Sequence, residues 1–139
     1  MKSVLFIGAL LLLPVVVSAA PEQILKTTES WDGGKITYPQ GQAEITSVIL
    51  RLEEDKPSGF HCHPVPTMGY VLNGTVEVET QDGKKVRLSQ GDPAVEVMRT
   101  MHRGVAVDGP VEILVFYAGA QGVPVTVFPD SELAKTHCE

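Results

Sequence analysis

The segment GFHCHPVPTMGYVLNG, residues 59–74, places two of the chain's four histidines one residue apart. On an extended strand, residues i and i+2 point to the same face, so His61 and His63 are expected to project together while Cys62 points away. Two such imidazoles can share one metal ion at about 2.0–2.1 Å. A third histidine, His102, follows a Gly-Asp turn further along the chain. The spacing predicts a site for one divalent transition metal; the alternative is a pair of partly exposed, hydrogen-bonded histidines.

The elements that must position these histidines are short strands. From residue 45 onward, apolar and polar residues alternate, valine is abundant, and Asn-Gly, Asp-Gly and Gly-Asp dipeptides separate the runs. We predict strands over residues 45–54, 69–80 with a turn at 73–74, 85–90, 93–98, 104–107, 111–119 and 123–128. This near-regular spacing is typical of an all-β antiparallel barrel or sandwich.

The histidine pattern resembles that of the cupin family. The first cupin motif consists of H-x-H, a glutamate and then a glycine, and here His61, His63 and Gly74 lie at matching positions. The second motif begins with a glycine and ends in a histidine, which Gly91 and His102 match. The resemblance implies an all-β fold with a single cupin-type antiparallel β-barrel, or jelly roll. It also implies one bound divalent transition metal (Fe, Mn, Ni or Zn) and a homodimer.

The chain departs from the cupin pattern at the position of the glutamate ligand. Four residues after His63 it has Thr67, and a neutral hydroxyl is a weak ligand for a divalent ion. Val97 and Arg99 also replace the usual proline and glycine of the second motif. The family's shell of three histidines and one glutamate therefore cannot be carried over whole.

Two ligand sets remain open. Three histidines alone still bind iron(II) or zinc and leave positions free for water or substrate. Alternatively Glu96, six residues before His102, supplies a carboxylate from a neighbouring strand. The alternation works against Glu96, because Val95 and Val97 have the pattern of a core face; on the opposite face Glu96 would be a surface carboxylate.

A catalytic metal site also needs a general acid or base, for which Glu96 and Tyr70 are the candidates. Arg99 and Arg103 flank His102 and could hold an anionic substrate such as a carboxylate; otherwise they are ordinary surface residues. The apolar residues that could line the pocket, or simply fill the core, are Met68, Tyr70, Met101 and Phe116.

The start of the chain predicts its location. Residues 1–19 combine one lysine, a short apolar run broken by Pro14 and a small-residue exit, which is typical of a cleaved secretory signal peptide. The run is shorter than the ~20 apolar residues of a membrane-spanning helix. We therefore expect a periplasmic or secreted protein whose mature chain does not insert into a membrane. Its formal net charge of −6, without a basic patch, does not favour nucleic acid.

The remaining chain divides into three parts. We expect an N-terminal arm over residues 20–44, with one short helix or an extra edge strand, and a β-barrel domain over residues 45–128. The tail, residues 129–139, is expected to form a single helical turn capped by Ser131, or no element.

Two cysteines, Cys62 and Cys138, form an even number in a chain expected to be exported. A disulfide between them is therefore one hypothesis, and it would hold the tail on the outside of the barrel, away from the histidines. The alternative is a buried free Cys62 and a reactive Cys138. The neighbouring His137 is expected to be a tail residue rather than a metal ligand.

Three classes of function fit these features. The first is a metal-dependent enzyme acting on a small-molecule substrate, foremost a dioxygenase of a small organic acid or phenol, otherwise an isomerase or lyase. The second is a non-catalytic periplasmic module that binds a small ligand or a metal. The third is a barrel that has lost metal binding and serves assembly or structure. Thr67 bears on the choice between the first and third, because it weakens the ligand set without removing the histidines.

Overall fold

The computed structural model describes residues 20–139, which fold into two antiparallel β-sheets packed on each other. The strands are β1 (Ala43–Leu52), β2 (Thr67–Asn73), β3 (Thr75–Thr80), β4 (Lys85–Ser89), β5 (Pro93–Val95), β6 (His102–Ala106) and β7 (Val111–Ala120), followed by helix α1 (Ala134–His137). The first sheet has the order β1-β7-β2-β5, and the second has the order β4-β3-β6. The predicted all-β antiparallel fold is confirmed. The predicted signal peptide lies outside the described residues.

The two sheets pack through the alternating inward residues of their strands. In β3, Val76, Val78 and Thr80 are buried, whereas Glu77 and Glu79 are partly exposed. The main core cluster draws on both sheets and consists of Leu52, Val71, Val76, Val78, Ala106, Val111, Ile113 and Val115. Removing this apolar surface from water stabilises the fold by about 25 cal/mol per Å².

The turns predicted from glycine dipeptides make two different kinds of connection between strands. The turn at residues 82–83 closes a hairpin between β3 and β4, which pair in one sheet. The turn at Gly74, by contrast, carries the chain from β2 in the first sheet to β3 in the second. Gly74 has φ +81°, and a Cβ there would lie 2.5 Å from the carbonyl oxygen of Pro110. This crossing between sheets therefore requires glycine.

The strand predicted over residues 123–128 is wrong. Within this segment, Val127 alone forms a bridge, with Cys62. Pro124 has no N–H to donate to a ladder. The carbonyl of Val125 instead accepts a hydrogen bond from the His63 ring. The segment thus supports the histidine segment rather than extending a sheet.

Before β1 begins at Ala43, the arm forms neither the predicted short helix nor an extra edge strand; its ladder contact there is a single bridge between Glu29 and Lys35. Residues 30–34, here called the arm clasp, contact both sheets. The backbone N–H of Trp31 donates to the carbonyl of Val95 at 2.9 Å, in the first sheet. The carboxylate of Asp32 pairs with Lys84 at 3.0 Å, in the turn of the second sheet. The arm clasp thus closes one side of the barrel.

The tail is attached to the outside of the barrel by a disulfide between Cys62 and Cys138. The helical turn α1 is present, but its N-cap residue is Leu133 rather than Ser131, whose hydroxyl accepts a hydrogen bond from the Leu133 N–H. Cys62 and Cys138 pack in a second apolar cluster with Met101, Val127 and Ala134. Among the described residues, no helix is both long and apolar enough to cross a bilayer.

Candidate metal centre

Backbone pairing brings His61 and His102 together. Each donates its N–H to the carbonyl of the other, at 3.0 and 2.9 Å, so the two residues lie directly opposite each other. Side chains of such an antiparallel pair point to the same face. The i, i+2 spacing adds His63 to that face, as the sequence predicts. Two elementary rules of extended backbone therefore place all three imidazoles together.

The three imidazoles form a compact cluster. One nitrogen from each of His61, His63 and His102 lies within 4.8 Å of the other two, and the ring centroids are 4.7 to 5.0 Å apart. His63 and His102 are buried, and His61 is half-buried at the open side. The chain therefore positions three histidines to bind a metal. His137 is not in this cluster.

Each ring is oriented by a backbone carbonyl. The Nδ1 atoms of His61, His63 and His102 lie 2.7, 2.7 and 2.8 Å from the carbonyl oxygens of Gly59, Val125 and Thr100. A neutral imidazole that donates from Nδ1 leaves Nε2 as the acceptor, which is how a metal-binding histidine is usually fixed. His102 Nε2 is buried and has no hydrogen-bond partner. The donor set therefore fits a divalent transition metal.

Burial keeps the cluster in the neutral form that binds metal. Desolvation lowers the pKa of His63 to about 3, with further lowering from His102 and His61. Burial also lowers the pKa of His61 and that of His102, partly offset by their hydrogen bonds to backbone carbonyls. At neutral pH no proton has to leave these rings before they coordinate a cation.

Glu96 points into the barrel, although the alternation favoured the opposite face. Its backbone N–H donates to the carbonyl of Thr67 at 2.8 Å, and the neighbouring pair in the register is Met68 with Val95. Glu96 therefore lies opposite Thr67, and both line the histidine cavity. Val95 faces outward and is covered by the arm, which is why it has the pattern of a core residue.

The Glu96 carboxylate is close to the histidines and poorly solvated. Its Oε2 lies 3.5 Å from His102 Nε2 and has no hydrogen-bond partner. Burial raises the pKa of Glu96 from 4.5 to about 7, an effect partly offset by His61 and by the Trp31 indole. Its oxygens are not within the 4.8 Å cluster of nitrogen atoms. The Glu96 carboxylate therefore lies beside the histidine cluster, on the segment that pairs with Thr67.

Tyr70 is not brought to the histidines. It follows the outward Met68 on β2 by two residues, whereas the inward positions are Thr67 and Val71. The tyrosine in the cavity is Tyr117, whose ring centroid lies 5.4 Å from that of His63. Burial raises the pKa of its phenol. Alternation along β7 from Val111 already placed Tyr117 inward, a signal that sequence reasoning missed.

The other residues considered for the pocket lie elsewhere. Arg99 bonds Glu139 and the carbonyl of Thr136, so it holds the tail. Arg103 pairs with Glu79 at 2.5 Å and lies over the ring of Phe60. Neither arginine lines the histidine cavity. The three remaining apolar candidates are also outside it: Met68 and Phe116 are exposed, and Met101 packs beside the disulfide.

The cavity around the cluster is small and mostly apolar. Its volume is about 50 Å³, and its walls include Leu52, Val76, Val78, Ile113 and Val115 from the main core. By this measure a cavity of about 10–15 Å³ is enough to hold one water molecule. The site therefore has room for a metal ion with one or two small ligands.

The fold and the cluster define a β-barrel protein with three histidines positioned to bind a metal. A family model described as "Cupin domain" matches residues 48–117. The chain belongs to the cupin family, as the two motifs suggested. No curated protein sequence matches the chain.

Solved structures with similar folds include a lyase and a decarboxylase by name. DMSP lyase DddQ from Ruegeria pomeroyi is 22% identical, with a TM-score of 0.54 over 63% of this chain and 45% of the lyase. KdgF from Halomonas sp. is 27% identical, with a TM-score of 0.50 over 60% of this chain and 76% of KdgF. Oxalate decarboxylase from Lactobacillus farciminis is 18% identical, with a TM-score of 0.54 over 68% of this chain and 29% of the decarboxylase. This chain thus spans less than half of the lyase.

Proposed function

We propose that this chain is a metalloprotein that holds one divalent transition metal through His61, His63 and His102. The observation that carries the proposal is the set of three backbone carbonyls that fix the three Nδ1 atoms and leave the Nε2 atoms free for one ion. Buried histidines that served only packing would also need a partner for Nε2, and His102 Nε2 has none. Iron, manganese, nickel and zinc all suit imidazole ligands.

Glu96 supplies the carboxylate of the site in this proposal. It comes from the residue opposite Thr67, so the charge enters the cavity from the segment that follows β5 instead of from β2. With its pKa raised by burial to about 7, Glu96 can hold or release a proton near neutral pH. Tyr117, on the other side of His63, offers a hydroxyl donor. A bound metal would supply a Lewis acid, or a centre for oxygen chemistry, with open positions for a substrate.

We propose a metal-dependent enzyme of a small organic acid or phenol, foremost a dioxygenase, as the activity of this site. The carboxylate of Glu96 and the phenol of Tyr117 beside three histidines support catalytic turnover. Two of the structures with a similar fold are also named as enzymes. The cavity volume of about 50 Å³ favours a second candidate, which is a module that binds a metal or a very small ligand without turnover. A phenol would need the cavity to widen.

The test of the metal proposal is elemental analysis of untagged protein beside a His61→Ala/His102→Ala variant. We expect near-stoichiometric iron, manganese, nickel or zinc in the wild type and none in the variant. A wild type without metal that takes up none on dialysis would overturn the proposal. Oxygen consumption by the iron-loaded protein with small organic acids and phenols then separates the two candidates, because a binding module consumes none.

We also propose that the protein works after export. The disulfide supports this, because such bonds persist in oxidising compartments. Intact mass of the protein recovered from the periplasm or medium tests it. The mature chain is expected to begin at residue 20; full-length protein retained in the cytoplasm would contradict export.

We propose a homodimer that uses β1. This strand pairs with β7 on one side, is the edge of its sheet, and exposes Ile45, Val48, Ile49 and Leu50. A long apolar edge strand without cover is an association site. Light scattering is expected to give twice the chain mass for the wild type and a monomer for Ile45→Lys/Ile49→Lys. A monomeric wild type would show that β1 is not an interface.

A further inference from the structure

Three buried side-chain atoms in the described part of the chain have no hydrogen-bond partner: Trp31 Nε1, Glu96 Oε2 and His102 Nε2. Leaving such atoms unpaired costs about 1–3 kcal/mol each. Two of the three, Glu96 Oε2 and His102 Nε2, lie 3.5 Å apart at the proposed metal site. The third comes from the arm clasp, outside the residues that match the cupin model. The indole N–H of Trp31 is thus an unpaired donor, and Glu96 Oε2 is an unpaired acceptor.

The arm clasp holds the Trp31 indole next to Glu96. The Trp31 N–H donates to the carbonyl of Val95, the residue before Glu96, and the ring packs against the main core cluster. Asp32 fixes the other end of this contact through Lys84. The backbone hydrogen bond to Val95 thus brings the unpaired indole N–H to the residue next to Glu96, whose Oε2 is also unpaired. The position of the Trp31 indole and its ability to donate a hydrogen bond therefore both indicate Glu96 as its partner.

We propose that Trp31 is a positioning residue for the metal site, whose indole N–H bonds the Glu96 carboxylate, directly or through one water, and holds it beside His102. The inference rests on the proposed metal binding and adds a residue from the arm to it. An indole N–H can only donate, so it favours the ionised carboxylate that a cation needs. Groups that orient metal ligands in this way are worth about 10–100-fold in metal affinity.

A double-mutant cycle with Co²⁺ tests the role of Trp31. Trp31→Phe keeps an aromatic ring but removes the N–H, and Glu96→Gln removes the charge that it would orient. We expect Trp31→Phe to weaken Co²⁺ binding about tenfold in the wild type and less than twofold in the Glu96→Gln background. Tyr38→Phe is the control on the same arm, because Tyr38 is exposed and should leave the affinity unchanged.

The outcomes separate the two proposals. If Trp31→Phe costs the same in both backgrounds, or nothing in the wild type, Trp31 does not act through Glu96. If the wild type binds no Co²⁺, the metal proposal fails, and the inference with it. A second readout does not depend on the variant folding, because Trp31 is the only tryptophan of the chain. Its indole N–H resonance is expected to move downfield on Zn²⁺ addition in the wild type; an unmoved resonance would overturn the role.

Discussion

Replacing Cys138 by serine is expected to lower the free energy of unfolding by about 4 kcal/mol. The bond closes a loop between residues 76 positions apart, and a cross-link of that span removes much of the entropy of the unfolded chain. Serine keeps the size of the side chain and removes only the bond. Denaturant unfolding at equilibrium, under non-reducing conditions, measures the difference in free energy.

The control for this loss is Glu139→Gln, which removes the ion pair between the tail and Arg99. Glu139 pairs with Arg99 at 3.0 Å, and both groups are largely solvent-exposed. Exposed ion pairs contribute at most about 1 kcal/mol, so this variant should remain close to wild type. If Cys138→Ser is no more destabilising than Glu139→Gln, the disulfide does not contribute the expected stability.

The disulfide also bears on the metal site. Cys62 lies between His61 and His63, and its backbone exchanges two hydrogen bonds with Val127. The same segment supplies the Val125 carbonyl that orients His63. The outer face of the histidine segment is thus fixed by the tail, while its inner face carries the ligands. Extended backbone permits this division because neighbouring residues point to opposite faces.

The sequence predicted most strands because alternation and turn dipeptides are local signals. It could not predict which sheet a strand joins, since turn chemistry at residues 73–74 and 82–83 looks alike. The difference arises from distant residues, such as Pro110, which leaves no space beside Gly74. The strand at residues 123–128 failed for a related reason. The segment has the apolar residues of a strand, but its backbone groups bond Cys62 and the His63 ring instead of joining a sheet.

The candidate site was predictable where one rule of backbone geometry sufficed. His61 and His63 follow from their spacing, and His102 followed from the motif resemblance. Glu96 was one of two ligand sets left open, because alternation alone places Val95 and Val97 on a core face, and the arm that covers Val95 could not be foreseen from alternation. Tyr117 was not among the predicted residues, although the alternation of β7 places it in the histidine cavity, which Tyr70 does not line.

The placement of Glu96 implies a conflict between stability and metal binding. A poorly solvated carboxylate beside neutral imidazoles opposes folding when no cation is present, and Glu96 Oε2 is buried 3.5 Å from His102 Nε2. The folded-state pKa of about 7 lies above the ordinary 4.5, so the folded protein keeps a proton that the unfolded chain has lost. The contribution of Glu96 to stability is therefore intact below pH 4.5 and is lost as the pH rises to 7.

Replacing Glu96 by glutamine is accordingly expected to stabilise the metal-free protein at pH 8 and to leave its stability at pH 4 nearly unchanged. The difference between variant and wild type should approach about 3 kcal/mol, which is the pKa rise converted at 1.36 kcal/mol per unit. Protonation of the histidines changes the unfolding free energy of both proteins, so its effect largely cancels in the difference between them. Denaturant unfolding of the two metal-free proteins across this pH range measures it.

Bound metal should reverse the order of stability of the wild type and Glu96→Gln. The charge that opposes folding alone becomes favourable beside a cation, so saturating Zn²⁺ should raise the unfolding free energy of the wild type more than that of Glu96→Gln. A variant that gains nothing at pH 8 would show that the carboxylate is hydrated in the metal-free protein. A variant that responds to Zn²⁺ as strongly as the wild type would show that three histidines form the site without help from Glu96.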